Sequence, residues 1–256
     1  MKIVVIGGTG LIGSRTVVRL RQNGHEAIAA APNTGVNTIT GEGLDAAMAG
    51  TDVVVDLANA PDWSEHAVLE FFETSGRNLF AAEKKAGVKH HVALSVVGAD
   101  RLTAIPYMRG KVLQEQVIRA SGVPYTIIHS TQFFEFLNGI AKDGSGDKEI
   151  RLSTGLIQPI AADDVADAVS HYAMAPAING MLEIGGPDKF PLADLVRMFL
   201  ELIGDKRTVI GDPSAPYFGA VLKTNDLVAG PDAHLGKLNF HAWFVETQKA
   251  RHAAAA

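Results

Sequence analysis

The chain has 256 residues, with 23 Lys+Arg against 28 Asp+Glu and a formal net charge of −5. Hydrophobic residues make up 47% and charged residues 20%, enough to bury a sizeable core and too apolar for a disordered chain. The acidic balance argues against a general nucleic-acid binder. The absence of cysteine excludes a disulfide scaffold, a thiolate metal site and a cysteine nucleophile, and fits a reducing cytoplasm.

In chain order, residues 3–6 form a first apolar strand, and residues 11–22 a helix with Val17, Val18 and Leu20 on its inner face. Strands follow at 26–31, 52–57, 91–95 and 125–129, separated by helices at 63–86 and 107–120. Continuous Val/Ile runs mark strands buried on both faces, as in a parallel sheet covered by helices. Alternation of strand and helix then gives right-handed crossovers and an α/β, doubly wound sheet. Beyond residue 130 the pattern loosens to helices at 162–174 and 192–203 with a short strand at 182–184, and aromatics gather near the end. A single domain is expected, with a core over 1–130 and a small C-terminal substrate-covering subregion over 131–256 that adds late strands and helices. No stretch approaches the ~20 apolar residues that cross a bilayer, and the N-terminal apolar run is too short for a signal peptide. A protein without membrane contact, in the cytoplasm, is the expectation.

Directly after the first strand stands Gly7-Gly8-Thr9-Gly10-Leu11-Ile12-Gly13, and a helix opens there. Glycines let the backbone approach a pyrophosphate closely, and a helix N-terminus supplies free N–H groups and positive potential. Between a strand and a helix of a βαβ unit this is the dinucleotide-binding pattern of a Rossmann-type sheet. Gly7, Thr9, Gly10, Leu11, Ile12 and Gly13 are therefore the expected phosphate-binding stretch. NAD-binding sites of this kind carry a carboxylate on the adenosine ribose about 20 residues further on. Here Ala31-Pro32-Asn33-Thr34 occupies that place, with no acid before Glu42. Pro32 and Asn33 would then border a ribose whose 2′-phosphate meets no repulsion, with Arg15 near enough to pair with it, so NADP is preferred over NAD.

Tyr107 and Lys111 are four residues apart and share a helix face, with Pro106 suited to the first turn. A nearby ammonium lowers a phenol's pKa from its usual value of about 10, and the same lysine can bond the nicotinamide ribose. Ser95 ends the fourth strand, where its hydroxyl would hold a substrate carbonyl. Tyrosine as proton donor, serine as positioner and a nicotinamide as hydride source complete a carbonyl-reduction site.

At these residues the chain resembles the short-chain dehydrogenase/reductase superfamily. Val92-Ala93-Leu94-Ser95-Val96-Val97-Gly98, Pro124-Tyr125-Thr126-Ile127-Ile128, Thr131-Gln132-Phe133-Phe134-Glu135-Phe136 and Gln158-Pro159-Ile160-Ala161-Ala162-Asp163-Asp164-Val165-Ala166 are similar to its atypical, NmrA-like branch. The resemblance runs from residue 1 to about 200. It implies NAD(P)H-dependent reduction of a ketone, aldehyde or quinone, or else a catalytically silent nucleotide sensor. Many members lack the tyrosine, so Tyr107 with Lys111 tilts this chain toward catalysis. Ala58 and Asn59 fall where relatives pass the adenosine side of the cofactor. Where the family implies arginine after the fifth strand, this chain has His129, either reshaping the substrate pocket or bonded in the interior. A third possibility, a sugar-nucleotide epimerase, shares the loop and the Tyr/Lys pair but needs a larger C-terminal region.

His90 and His91 are adjacent on a strand and so face opposite ways, and no other histidine has ligand spacing, so no metal site is expected. No Gly-x-Ser-x-Gly elbow or phosphate-loop Gly-Lys-Ser/Thr occurs. In a doubly wound sheet the ligand lies beyond the carboxyl ends of the strands. Gln132, Phe133 and Phe136, after the fifth strand, are therefore the candidate substrate-binding residues, suited to a flat carbonyl compound or quinone. Trp63 is a further candidate. A homo-oligomer is compatible with the family resemblance.

Overall fold

The computed structural model describes residues 1–144, 146 and 148–255, with side chains through Lys249. The first half runs β1 (Lys2–Ile6), α1 (Leu11–Gln22), β2 (Glu26–Ala30), α2 (Leu44–Met48), β3 (Val53–Asp56), α3 (Glu65–Ala86), β4 (His90–Val96), α4 (Pro106–Ala120) and β5 (Tyr125–Ser130). The remainder runs α5 (Leu137–Asp143), β6 (Glu149–Leu152), β7 (Leu156–Ile157), α6 (Ala162–Met174), β8 (Gly180–Gly185), β9 (Phe190–Pro191) and α7 (Leu192–Ile203). It ends with β10 (Thr208–Gly211), β11 (Pro216–Tyr217), β12 (Ala220–Val221), β13 (His234–Leu235) and α8 (Phe240–Ala255). The main sheet has seven strands in the order β13-β8-β5-β4-β3-β1-β2, a Rossmann-like, mainly parallel arrangement. Among the described residues no helix is long and apolar enough to cross a membrane.

The chain groups into two compact units: Met1–His129 with Val165–Leu182, and Ser130–Asp164 with Glu183 onward. In the first, β1 aligns in parallel with both neighbours, so that Ile6 stands beside Ala30 on β2 and Asp56 on β3, and Asp56 beside Ala93 on β4. The strand ends that carry Gly7, Asp56 and Ser95 thus lie along one edge. Ile3, Val4, Val5, Val54, Val55 and Val92 are wholly buried, as their unbroken apolar runs require. α1 buries Ile12, Thr16, Val17 and Leu20, but Val18 is exposed, because the helical period turns it a full 100° from Val17.

α3 ends at Gly87 in the left-handed conformation (φ 72°). α4 begins with Pro106 at its first turn. The two helices meet at Gly110, where a Cβ would fall 2.1 Å from Val68 Cγ1. This close approach fixes the rotation of α4 and therefore which of its residues face β4.

In the second unit, Phe134 is buried against Trp243 at 5.0 Å between ring centroids, and Phe240 at 5.8 Å. Glu135 ties this cluster down, accepting hydrogen bonds from Trp243 Nε1 (2.9 Å) and the Ala162 N–H. The apolar face of α7 carries Leu192, Leu195, Val196, Phe199 and Leu200. The parallel pair of β6 with β10, together with α5 and α8, is structure the sequence pattern does not announce.

Candidate functional site

The glycine loop is shaped from below. Gly7 donates to Ala30 O at 2.9 Å and sits at φ +71°, a conformation that favours glycine. A Cβ on Gly13 would lie 2.1 Å from Gly7 O, so glycine there lets α1 start directly against the strand. Gly10 differs: a Cβ would meet only Gly7 O, at 3.2 Å. Its outer side is open. No side chain caps α1 and its first turn carries no acid. The first helical bond runs from Ser14 N–H to Gly10 O (3.0 Å), which leaves the amides of Leu11, Ile12 and Gly13 ahead of the ladder. Leu11 is exposed and Ile12 buried, so both would meet a ligand through the backbone. An uncapped helix start beside a glycine with room above it fits a dinucleotide pyrophosphate.

Around the loop, Thr9 Oγ1 donates to Asn33 Oδ1 at 3.1 Å, joining the two predicted cofactor stretches. Pro32, Asn33 and Thr34 form a 3₁₀ turn directly after β2. Arg15 Nη1 bonds its own helix at Leu11 O, 2.8 Å away. Beyond β3, Asp56 Oδ1 accepts from the Ala58 N–H (3.0 Å), which turns the chain so that Asn59 is exposed.

Asn59 reaches Tyr107: their side chains are hydrogen-bonded. The half-buried phenol also stacks on Trp63, 5.2 Å between centroids and 27° between planes. Burial pushes Tyr107 up to about 12, against the smaller lowering pull of the Asn59 bond. The expected lowering by Lys111 is not what the structure has. Lys111 is only 3% exposed and faces β4 and β3 instead. Its Nζ donates to Leu94 O at 2.7 Å and to Gln114 Oε1, and lies 4.8 Å above the centroid of the Phe72 ring. Gln114 passes the contact on, donating to Asp56 Oδ2 at 2.8 Å. Burial brings Lys111 down to about 8, while the charges of Asp56 and Glu115 oppose that fall.

Ser95 is 2% exposed, and its hydroxyl donates to Glu115 Oε1 at 2.6 Å. His129 Nε2 stands 2.8 Å from the same oxygen, and Arg119 Nη2 lies 2.9 Å from Oε2. Burial works to raise Glu115, but the bonds and charges of His129, Ser95 and Arg119 hold it below the usual carboxylate range. His129 is thus an interior histidine within ion-pair distance of Glu115, its Nε2 making no well-aligned hydrogen bond. Tyr107, Lys111, Glu115 and Arg119 recur every four residues, so α4 presents phenol, ammonium, carboxylate and guanidinium in one stripe. Sequence reasoning missed Asp56, Gln114 and Glu115. Their only signal was the spacing of three and four residues from Lys111, and a lone acid closing the Val53-Val54-Val55 run.

The candidate substrate residues belong to the second unit. Gln132 is buried with neither amide atom hydrogen-bonded. Phe133 and Phe136 stack at 5.4 Å, with Phe136 exposed.

A family profile described as NAD(P)H-binding matches residues 7–176. Among curated proteins, the chain is 25% identical over 195 residues to the photosystem II assembly factor Ycf39 of Synechocystis, covering 71% of this chain and 60% of that protein. It is 31% identical over 144 residues to the (4-alkanoyl-5-oxo-2,5-dihydrofuran-3-yl)methyl phosphate reductase of Streptomyces griseus, covering 51% of this chain and 48% of the relative. The chain therefore spans only about half to three fifths of these two relatives. Among solved structures, MoeE5 in complex with UDP-glucose and NAD superposes with a TM-score of 0.75 at 18% identity, over 99% of this chain and 100% of that one, a likeness of fold. With the profile covering most of the chain over the very segments that build the loop and the α4 stripe, the chain belongs to the NAD(P)H-binding family of atypical, NmrA-like short-chain dehydrogenases/reductases.

Proposed function

We propose that the protein is an NADP(H)-dependent reductase of a ketone, aldehyde or quinone, with Tyr107 as proton donor. Bound NADPH supplies the hydride. The remaining chemistry belongs to the chain. The uncapped start of α1 and the open side of Gly10 receive the pyrophosphate. The acid-free turn after β2 supports NADP over NAD, with Arg15 as the side chain to meet a 2′-phosphate. Lys111 spends hydrogens on Leu94 O and Gln114, and offers its third to the ribose, beside Asn59. The observation that carries the reading is the placement of Tyr107. At the start of α4, one turn before Lys111, the phenol stacks on Trp63 beside Asn59 and holds a proton that it can give to a developing alkoxide. Gln132, Phe133 and Phe136 are the proposed substrate contacts.

The test is Tyr107→Phe, followed by NADPH absorbance with a panel of carbonyl compounds and quinones. The expected result is a loss of roughly 100-fold or more in kcat for carbonyl substrates, the scale of general acid catalysis, with NADPH affinity unchanged. Parent-level carbonyl reduction by the variant would overturn the mechanism. Quinone turnover that survives would show that hydride delivery there needs no phenol proton.

A second reading has its own support: one relative is named as an assembly factor, and Ser95 and Lys111 are largely engaged within the fold. On that reading the protein binds the dinucleotide and acts through a protein partner. NADPH binding without oxidation across the whole panel would favour it.

A further inference from the structure

We propose that Glu115, steadied by His129 and Arg119, is a positioning residue that fixes Ser95 as a hydrogen-bond acceptor, so that Ser95 does not donate to a substrate carbonyl. The inference rests on the reductase reading for its catalytic consequence, but its structural content stands without it. An ionised carboxylate has no hydrogen to give, so the 2.6 Å bond from Ser95 Oγ to Glu115 Oε1 can run in one direction only. Ser95 has a single hydroxyl hydrogen, and that bond consumes it. Any ligand group reaching Ser95 then meets a lone pair, which suits a hydroxyl or an amide N–H and leaves a carbonyl oxygen to Tyr107 alone.

The surroundings keep Glu115 ionised from every side. On its own helix Lys111 stands one turn before it, and Arg119 one turn after, 2.9 Å from Oε2. From β5 comes His129, 2.8 Å from Oε1, and from β4 comes Ser95 itself. The carboxylate of Asp56 on β3 lies behind Gln114, which with Lys111 separates it from this cluster.

The chain has no cysteine, so Ser95→Cys places a single thiol at this position as a reporter free of background. Its ionisation is read from thiolate absorbance and from alkylation rate against pH. Beside a fixed negative charge the thiol should titrate about one pH unit or more higher than it does once that charge is removed by Glu115→Gln in the same background. Burial is common to both proteins and cancels in the difference. Glu115→Asp, which withdraws the charge by one methylene, should fall between them, and replaces the Gln variant if that one does not fold. An equal thiol pKa with and without the charge would overturn the proposal. The catalytic arm uses Ser95→Ala: kcat for carbonyl substrates should drop less than about tenfold, and adding Glu115→Gln should bring little further loss, since the two act as one unit. A loss on the scale of Tyr107→Phe would mean that Ser95 donates after all, and would also overturn it. Should no acceptor be turned over by the parent protein, the reductase reading fails while the thiol titration still decides the role of Glu115.

Discussion

The first unit buries two carboxylate–histidine pairs at opposite ends of β4, and they have different lives. At the amino end, Glu83 and His91 are 0% exposed, joined at 2.8 Å between Oε1 and Nδ1, with Glu83 Oε2 and His91 Nε2 left unpartnered. Nearby, Asp52 takes the Lys2 N–H and the Lys89 ammonium. The side-chain bonds named at this edge run between its own groups. At the carboxyl end, Glu115 and His129 share their contact with Ser95 and Arg119, one turn from a lysine whose ammonium is only loosely retained. The same edge holds a neutral phenol and the bare amides of α1. In βαβ units every helix start points to the carboxyl edge of the sheet, so positive potential and unpaired donors collect there. The same pairing chemistry serves as ballast at one edge and stands within the candidate site at the other.

The sharpest way to break this contrast is to remove one carboxylate from each pair. Glu83→Gln strands His91, whose pKa the fold raises through the charge and hydrogen bond of Glu83 against the pull of burial. The expected loss is about 3 kcal/mol of unfolding free energy, the usual cost of orphaning a buried charge. Replacing both with apolar residues of similar volume should recover most of it. Glu115→Gln should cost only about 1–2 kcal/mol, the scale of a hydrogen bond to a charged group, since Arg119 reaches solvent. Denaturant titration gives both values, and a larger loss at Glu115 would reverse the assignment of the two edges.

Next in size is a pH effect at the amino edge. His90, 5% exposed and 2.9 Å from Thr126 Oγ1, is brought down to about 4 by burial, with His91 adding to the fall. Its folded pKa lies below its unfolded value, so between about pH 6.5 and 4 the unfolded chain binds the extra proton. Stability contributed by His90 is therefore full above that window and lost as the pH falls through it, by up to about 3 kcal/mol. His90→Gln should flatten this part of the wild-type curve measured by urea unfolding across pH 4–7. An unchanged slope would place the acid sensitivity elsewhere.

The contrast also marks what the sequence made legible. α1, α6 and α7 have the ends that their periodicity predicts, and Gly7 to Gly13 named the loop because a strand, a turn and a helix start are local events. The opposite facing of His90 and His91 followed from strand geometry alone and holds, one bonded to Thr126 and the other to Glu83. β6 with β10 escaped notice because the partners are far apart in sequence and too short to show a period. Within the site, the residue types at 95, 107 and 111 were readable from spacing, but their states were not. The rotation of α4 set at Gly110 decides which of its residues face the sheet, and the Lys111 side chain turns to Leu94 O and Gln114 rather than along its own helix to Tyr107. The raised pKa of Tyr107 depends on burial that no spacing rule reports.

The smallest expected effect tests whether the carboxyl edge is open where the loop says it is. Gly13→Ala would drive a Cβ to 2.1 Å from Gly7 O, backbone against backbone, so the loop must move and stability should fall along with NADPH affinity. Gly10→Ala meets only Gly7 O at 3.2 Å, which a slight adjustment accommodates, so the melting temperature should hardly change. Its methyl group would instead occupy space that a pyrophosphate needs. A fall in NADPH affinity of about tenfold, or ~1.4 kcal/mol, is expected in calorimetry. The two variants thus separate a glycine needed by the fold from one needed by the ligand. If Gly10→Ala bound NADPH as tightly as the parent, the open side of Gly10 would not be where the phosphates lie, and the uncapped amides of α1 would have to be reached from another direction.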